Sequence, residues 1–595
     1  MDANRALAEQ FKQMAIMLEL LGHDRFRVNA HARAARAIEA LTTDLATLTD
    51  DKDALTAIDG IGTKSADKII EFCTTGEIAE YESLRHQVPA GIFDVLAIQG
   101  LGPKTVRLLW EQAGVKDLAG LKRVLNDGSI LDLPRMGAKT VQNIKAALTF
   151  AQRAGERLPL GRALQIAQGL VAILSELPEA DRVAYAGSLR RGRDTIGDID
   201  LLVATNTPAP VHDAFRALRG IEQVLAAGET KSSVRVRAPR GGGRFAGKAG
   251  PVVQVDLRTV PPHSFGAALM YFTGSKEHNV RLRQRALKKQ LTLNEYGLFP
   301  LDHEPGSPQS RGVQPVASKT EEQIYAALDL PLIPPQIRED RGELDLTAPP
   351  TLIELTDIKA ELHAHTNASD GSLTLEQLVA LAKNRGFHTI AVTDHSKSSV
   401  QANGLSVQRL REQIAAIKEL NERTPGITIL AGSEVDILSD GSLDYDDELL
   451  AQLDIVVASP HVALSQDAAA ATRRLLAAIE HPLVHILGHP TGRLIGRRPG
   501  LAPAMNELIA AAVQHDTALE INAHWIRLDL RDTHVRAAVD ARCNLAINCD
   551  VHADDDFDNL RFGVLTAQRG WLTPELCINA WNPHRLHTWL TRSRH

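Results

Sequence analysis

Five short apolar runs in the last 245 residues of this 595-residue chain each lead to an imidazole or a carboxylate. Thr389–Val392 precedes His395, Ile427–Leu430 precedes Glu434, Ile455–Ala458 precedes His461, Val484–Leu487 precedes His489, and Leu545–Ile547 precedes Asp550. Apolar runs of this length, separated by helical stretches, read as buried parallel strands of a barrel. Polar groups at the C-terminal ends of such strands converge on one mouth. His363-Ala-His365 sets two rings on one face of a strand. With Asp370 and His552 the set reaches nine. Imidazoles and carboxylates in one pocket suit Zn²⁺, Mn²⁺ or Fe²⁺. Nine ligands exceed the needs of one ion, so a cluster of two or three is implied. His388, His481, His485, His515 and His524 lack that placement and read as ordinary surface or core histidines.

A chain of this length exceeds one hydrophobic core and implies three or four domains. Hydrophobic content of 44% with 23% charged residues fits an ordinary soluble protein. No apolar span is long enough to cross a bilayer, and the first residues do not resemble a signal peptide. Cys73, Cys543, Cys549 and Cys577 are scattered, which argues against disulfides and for a reducing cytoplasm. The net charge of −7 conceals an asymmetry: residues 101–300 carry 30 Lys+Arg against 17 Asp+Glu, and residues 301–595 carry 26 against 40. A basic middle suggests a polyanionic partner, and an acidic end suits cations. Prolines 331, 334, 335, 349 and 350 bracket an expected linker before the barrel.

Apolar residues at helical spacing run from Ala6 to Leu21 and from Ala30 to Leu41. Beyond them three glycine loops share one Gly-to-Lys offset: Gly60, Gly62 and Lys64; Gly100, Gly102 and Lys104; and Gly137 with Lys139, where Arg135-Met136 replaces the first glycine. The glycines permit a tight turn and let a phosphate approach the backbone, while the helix N-terminus and the lysine favour an anion.

The middle of the chain carries Gly187-Ser188-Leu-Arg190-Arg191-Gly192, then Gly197-Asp198-Ile-Asp200 entering an apolar strand. Asp198 and Asp200 point to one side of that strand. Carboxylates so close repel one another unless cations lie between them, and two Mg²⁺ or Mn²⁺ ions there would drive nucleotidyl transfer. Asp256, in the alternating run Val252–Arg258, supplies a third carboxylate. Gly187, Ser188 and Arg191 are placed to hold a triphosphate through backbone and guanidinium donors.

Residues 1–330 resemble the family X DNA polymerases, the group of DNA polymerase beta, and residues 351–595 resemble the PHP (polymerase and histidinol phosphatase) domain. The glycine loops are similar to helix-hairpin-helix modules, which grip DNA backbones without reading sequence and in that family often hold a monovalent cation. The resemblance implies a multidomain chain: a helical, lyase-like DNA-binding domain over 1–86, a fingers-like helical domain over 87–155, an α+β nucleotidyltransferase palm over 156–260, a thumb over 261–330, a linker over 331–350 and a distorted α/β barrel over 351–595. It implies that Tyr271, Phe272 and Gly274 exclude a ribose 2′-hydroxyl and that Asn279 touches the incoming nucleotide, with Gly197 also among the nucleotide contacts. Arg258 and Arg283 would contact DNA, and Lys64 and Lys68 would form a 5′-phosphate pocket with Lys68 the lyase nucleophile. In the barrel the resemblance implies Glu434 bridging two ions. His363, His365 and Asp550 would hold one, His461 and His489 a second, and Asp370, His395 and His552 a third, with Mn²⁺ or Zn²⁺ as the metals. Three positions depart from the family: Ile196 replaces a triphosphate-binding hydroxyl, Lys276 an acidic residue, and His31 a lyase-pocket tyrosine.

The expected activity is gap-filling DNA synthesis in base-excision repair by a monomer acting on gapped or nicked DNA and dNTPs. A 3′-5′ exonuclease in the barrel is expected beside it, with 3′-phosphatase or abasic-site endonuclease action open to the same chemistry. Two other classes compete: a small-molecule phosphoesterase like histidinol phosphatase, and a DNA-end-binding scaffold with degenerate sites. The DNA-binding loops weigh against the first, and the complete ligand sets against the second.

Overall fold

A computed structural model describes residues 3–592 apart from 41–44, 50, 59, 97, 99–100, 135, 139, 143, 146–147, 149–156, 238–251, 303, 305, 465 and 497. Gly100, Arg135, Lys139 and the glycine-rich Arg240–Gly250 insertion therefore lie outside the described residues. The chain divides into two compact units, Met1–Gly155 and Glu156–His595.

The first unit is helical. The two amphipathic stretches form helices Ala3–Leu20 and Arg25–Ala40. One apolar cluster runs from Leu7 to Leu148, so the two expected helical domains share a single core. The first helix explains this, because it packs both on Arg25–Ala40 and on Pro103–Ala113. Gly62 and Gly102 cap the N-termini of helices Thr63–Thr75 and Pro103–Ala113. Gly60 has φ +94°, and a side chain there would press on the Arg33 carbonyl. Among the described residues nothing lies within 4 Å of a side chain placed at Gly62, Gly102 or Gly137. Lys64 and Lys104 are exposed beside the first two of these open turns.

After the helix Leu160–Ser175, the second unit forms a five-stranded sheet of β1 (Arg182–Tyr185), β2 (Asp198–Ala204), β3 (Ile221–Ala227), β4 (Lys231–Arg237) and β5 (Val252–Val260), in the order β1-β2-β5-β4-β3. Only the β2–β5 pair is parallel, and its register sets Asp200 opposite Asp256. Helices Phe265–Thr273 and Lys276–Lys288, the hairpin Leu291–Asn294/Gly297–Pro300 and helix Glu321–Ala327 follow.

The expected linker at 331–350 is packed into that helical subdomain over much of its length. Ile333, Ile337 and Leu344 join its core. Arg338 is fully buried, donating to Glu321 at 2.6 Å and to the Ile333 carbonyl at 2.9 Å. Glu343 accepts from the buried ring of His278, whose other nitrogen meets the Tyr325 hydroxyl. The prolines mark tight turns of a packed segment, which composition alone cannot distinguish from a spacer.

Seven parallel strands follow in chain order: β6 (Ala360–Glu361), β7 (Thr389–Val392), β8 (Thr428–Asp436), β9 (Ile455–Ser459), β10 (Ile486–Leu487), β11 (Ala518–Asn522) and β12 (Leu545–Asn548). The ends meet just beyond β6 and β12, where His365 N–H donates to the Val551 carbonyl and Val551 N–H to that of His363. That contact nearly closes the barrel and brings its first and last ligands together.

Palm and barrel are fused. Leu528 and Phe562 of the barrel belong to the palm's core cluster. Gly161 sits so tightly against Trp525 that an added Cβ would lie 2.8 Å from its side chain. Among the described residues no helix is long and apolar enough to cross a membrane.

Arg338→Ala would leave the buried Glu321 carboxylate with Arg190 as its one remaining guanidinium partner. The expected loss is about 3 kcal/mol, the scale for breaking a buried ion pair. It should appear as a lowered urea midpoint for the second unit.

Candidate catalytic sites in the palm and the barrel

In the palm, β2 presents Asp198 and Asp200 beside Asp256 on β5. Burial and repulsion from Asp198 and Asp256 push the Asp200 carboxyl up to about 7. Burial, then Asp256, raises Asp198. Burial also opposes ionisation of Asp256, but Lys231 at 2.6 Å, with the Gln254 amide and Ser233, holds it below its ordinary value. Three crowded carboxylates with one ammonium among them form a donor set that divalent cations fit. Gly187, at φ +62°, lies against Asp200, and a Cβ there would collide with Asp200 Oδ2. The Ala186 N–H donates to the Asp200 carbonyl at 2.8 Å, which ties the Gly187-Ser188 turn to the carboxylate strand.

Sequence reasoning missed Lys231 and Arg157. Arg157 lies against Gly197, its charge acts on Asp198, and it is anchored on Thr195. No motif flags either residue.

Arg191, expected at the triphosphate, is committed elsewhere in this structure. Its Nε donates to Glu339 at 2.9 Å and a terminal nitrogen to the Thr273 carbonyl at 2.5 Å. Arg569 from the barrel completes the knot, donating at 2.8 Å to the Arg191 carbonyl, to Glu339 and to Asp532. Arg258, expected at DNA, stacks on Phe272 at 4.5 Å and adds positive charge near Asp200. Asn279 donates to the Tyr271 carbonyl at 2.6 Å, Tyr271 and Phe272 meet edge to face, and Arg283 is exposed. In the first unit the Lys68 ammonium is ion-paired with Glu80 at 2.8 Å, and Arg27 reaches the same carboxylate at 2.6 Å. His31 is stationed 3.9 Å from Glu80.

All nine expected ligands meet at the barrel mouth, around Glu434. Its Oε1 faces His363 and His461 at 3.3 Å and His489 at 2.9 Å; its Oε2 faces His395 at 2.9 Å and His365 at 3.6 Å. His365 Nε2 is 3.1 Å from Asp550, and His552 and His395 are 3.2 and 3.5 Å from Asp370. Three sets converge closely enough to hold an ion: His363, His365 and Asp550; His365, Asp370, His395 and His552; and His395, Glu434 and His461. The first matches the expected grouping, and the second contains the expected third group plus His365. The remaining set is built on Glu434 and His461 with His395, while His489 lies beside His461 and meets the same Glu434 oxygen.

The electrostatics test whether this cluster suits metals. Burial opposes charge on His363, His461 and His552, yet neighbouring carboxylates raise all three, His461 to about 10 and His552 to about 9. Burial, with His552 and His395, drives His365 down to about 4. Despite their proximity, both Glu434 oxygens and Nε2 of His363, His365 and His489 are buried without a hydrogen-bond partner. Buried polar atoms are ordinarily paired, so a mouth of aimed, unpaired donors fits divalent cations well.

Supporting carboxylates escaped the sequence reading. Glu520 on β11 accepts from His363 Nδ1 at 2.7 Å and from the His489 N–H at 2.7 Å. Asp436, two residues beyond Glu434 on β8, holds His461 Nδ1. Asp394 gathers Thr366, Ser369 and Gln413 beneath the Asp370 loop. A carboxylate at a strand end two positions from a ligand was the available signal for Asp436. Glu520 had none. His524, read as ordinary, lies near enough to Asp556 and Asp550 to feel their charge.

A carboxylate palm for nucleotidyl transfer and an imidazole-carboxylate barrel mouth for phosphoester chemistry define a two-centre, metal-dependent enzyme. The DNA polymerase beta thumb family matches residues 268–339, the helix-hairpin-helix domain 2–78, a SAM-like helix-hairpin-helix tandem 92–149 and the PHP domain 361–524. The chain is 36% identical over 581 residues to DNA polymerase/3′-5′ exonuclease PolX of Bacillus subtilis (strain 168), covering 98% of each chain. DNA polymerase lambda of Arabidopsis thaliana is 26% identical over 349 residues, 57% of this chain and 62% of that one. A probable phosphatase of Thermoanaerobacter sp. (strain X514) is 26% identical over 230 residues, 37% of this chain and 89% of that one. The chain belongs to the PolX family, family X DNA polymerases that carry a PHP domain.

Asp436→Asn should weaken Mn²⁺ binding by the barrel about 10- to 100-fold, the usual effect of losing a carboxylate that orients a metal-binding histidine. Chelator competition reads this directly, and nucleotide addition by the palm should be unchanged.

Proposed function

We propose that this chain fills short gaps in DNA during base-excision repair and trims 3′ ends with its barrel, acting as a monomer on gapped or nicked DNA and dNTPs. The observation that carries the polymerase reading is the parallel register that faces Asp200 with Asp256 beside Asp198. Cations held in the two sites would supply, in the palm, activation of the primer hydroxyl and neutralisation of the pyrophosphate, and in the barrel, a water made nucleophilic towards a phosphoester. Asp198, Asp200 and Asp256 would hold Mg²⁺ or Mn²⁺ in the palm. Glu434 and the eight other barrel ligands would hold up to three Mn²⁺ or Zn²⁺ ions.

The protein's own groups do the rest. Gly187 and Ser188 offer backbone donors to the triphosphate, and Arg157 is stationed beside Gly197 and Asp198. Tyr271, Phe272 and Gly274 line the sugar's path and act by steric exclusion. Asn279, which donates to the Tyr271 carbonyl here, would turn to the incoming nucleotide. The exposed turns at Gly62, Gly102 and Gly137 would grip the DNA backbone, where a monovalent cation would fit the family's habit. Lys64 and Lys68 would receive the 5′-phosphate, and Lys68 must first leave Glu80 to act as a nucleophile. The probable phosphatase among the relatives favours 3′-phosphatase action by the same barrel.

Asp256→Ala should abolish nucleotide addition, a loss of about a thousandfold or more, while 3′ degradation in Mn²⁺ persists. His363→Ala should do the reverse. A 5′-labelled primer on a one-nucleotide gap, with and without dNTPs, reads both activities. Full degradation by the His363 variant would separate the nuclease from the barrel.

Tyr271→Ala should raise ribonucleotide insertion relative to deoxyribonucleotide in the same gap assay. Unchanged discrimination would move sugar selection to Phe272 or the backbone.

A further inference from the structure

A cavity of about 360 Å³ opens where the Asp194 turn of the palm meets the barrel. Arg493, Arg498 and Arg531 line it with Leu494, Ile495 and Asp194. One carboxylate thus faces three guanidinium groups. Arg493 accounts for that carboxylate: it pairs with Asp194 at 3.0 Å and gives its other donors to the Arg527 and Leu528 carbonyls. Arg498 is half-buried, donates to the Gly492 carbonyl at 2.9 Å, and forms no ion pair among the described residues. Arg531, at the N-cap of helix Asp532–Asp540, is exposed and likewise without an ion pair. Burial, and then the charge of Arg527, disfavour the Arg498 cation, and the Asp529 carboxylate offsets them only in part. Two positive groups in one concavity, one of them partly desolvated, favour an anion between them.

The position of Arg527 says where that anion comes from. Its Nε is 3.7 Å from Asp550 Oδ2, a member of the barrel cluster, and its charge bears on Arg498. The cavity is therefore one arginine away from the phosphoesterase centre. Its size is that of a small-ligand pocket rather than a single-ion site, and Leu494 and Ile495 offer an apolar wall beside the two cations. Guanidinium groups are the usual partners of phosphate oxygens.

We propose that this cavity binds a nucleotide unit of the DNA strand whose 3′ end lies in the barrel, with Arg498 and Arg531 on its backbone phosphate and the sugar against Leu494 and Ile495. The site would hold the strand in register while the terminal nucleotide is removed. The proposal rests on the barrel being the nuclease. A free nucleotide shares the same chemistry, so the test separates the two sources.

The experiment uses the full chain carrying Arg498→Glu, Arg531→Glu or Arg498→Lys, with Mn²⁺. Digestion of a single-stranded oligothymidylate is compared with hydrolysis of bis(p-nitrophenyl) phosphate, which has no neighbouring nucleotide. Each Glu variant should raise KM for the oligonucleotide about tenfold with kcat little changed. Each should also lower the slope of log KM against log salt by about one, the mark of a lost phosphate contact. Chromogenic diester turnover should stay at the parent level, and Arg498→Lys should keep most of the oligonucleotide affinity. Unchanged KM and salt slope in both Glu variants would overturn the proposal. Equal loss of diester turnover in both would also overturn it, by showing that the arginines support the barrel itself. Weaker inhibition by free dTMP with an unchanged oligonucleotide KM would overturn the strand assignment in favour of a free nucleotide. Failure of the parent protein to hydrolyse either substrate would sink the nuclease reading instead.

Discussion

Glu434 is the constraint on which the barrel depends. A carboxylate buried at the centre of a protein is costly unless opposite charge faces it, and here five imidazoles lie 2.9–3.6 Å away, with His363 and His461 among them raised by neighbouring carboxylates. His363 and His365 come from the segment just beyond β6, and His395, His461 and His489 from just beyond β7, β9 and β10. The parallel order of β6–β12 is what lets residues more than a hundred positions apart in the chain share one carboxylate. Glu520 and Asp436 then fix the far nitrogens of His363 and His461, so the rings have little freedom to turn away. The mouth is preorganised for cations before any arrives.

The palm solves the related problem with fewer counter-charges. Three carboxylates face one another with Lys231 as their near cation, and the raised carboxyl of Asp200 records the repulsion that remains. The two centres are parts of one compact unit. Leu528 and Phe562 complete the palm's core, and Arg569 ties the Arg191 carbonyl to Glu339 and Asp532. This fusion gives the palm's arginine turn a fixed relation to the barrel, and it turns the segment between thumb and barrel from a spacer into packed structure.

Much of this was legible in the sequence, for a definite reason. Polar residues at strand ends leave a periodic trace, so the nine candidate ligands and five of the seven strands could be read from apolar runs that lead to polar residues. Asp198 and Asp200 were legible because alternation on a strand fixes which side chains share a face, and Asp256 because it lies in a second alternating run. What stayed hidden depends on tertiary placement. Glu520 sits in an unremarkable strand, Lys231 and Arg157 belong to no motif, and the commitment of Arg191 to Glu339 spans 148 positions. The proline-rich segment misled for the same reason, since burial of Arg338 and Glu343 depends on partners elsewhere in the chain. The barrel's β11 was missed because none of the nine candidate ligands follows it, and β6 was glimpsed only through the His363-Ala-His365 pair because it is too short to leave an apolar run.

The most direct test counts ions. Protein stripped by chelator, reloaded with Mn²⁺ and examined by native mass spectrometry should hold more than one ion in the barrel once the palm's are removed by Asp256→Ala. If Glu434 bridges, Glu434→Ala in that background should cost at least two ions in a protein that remains folded. Loss of one ion or none would contradict a cluster organised around Glu434.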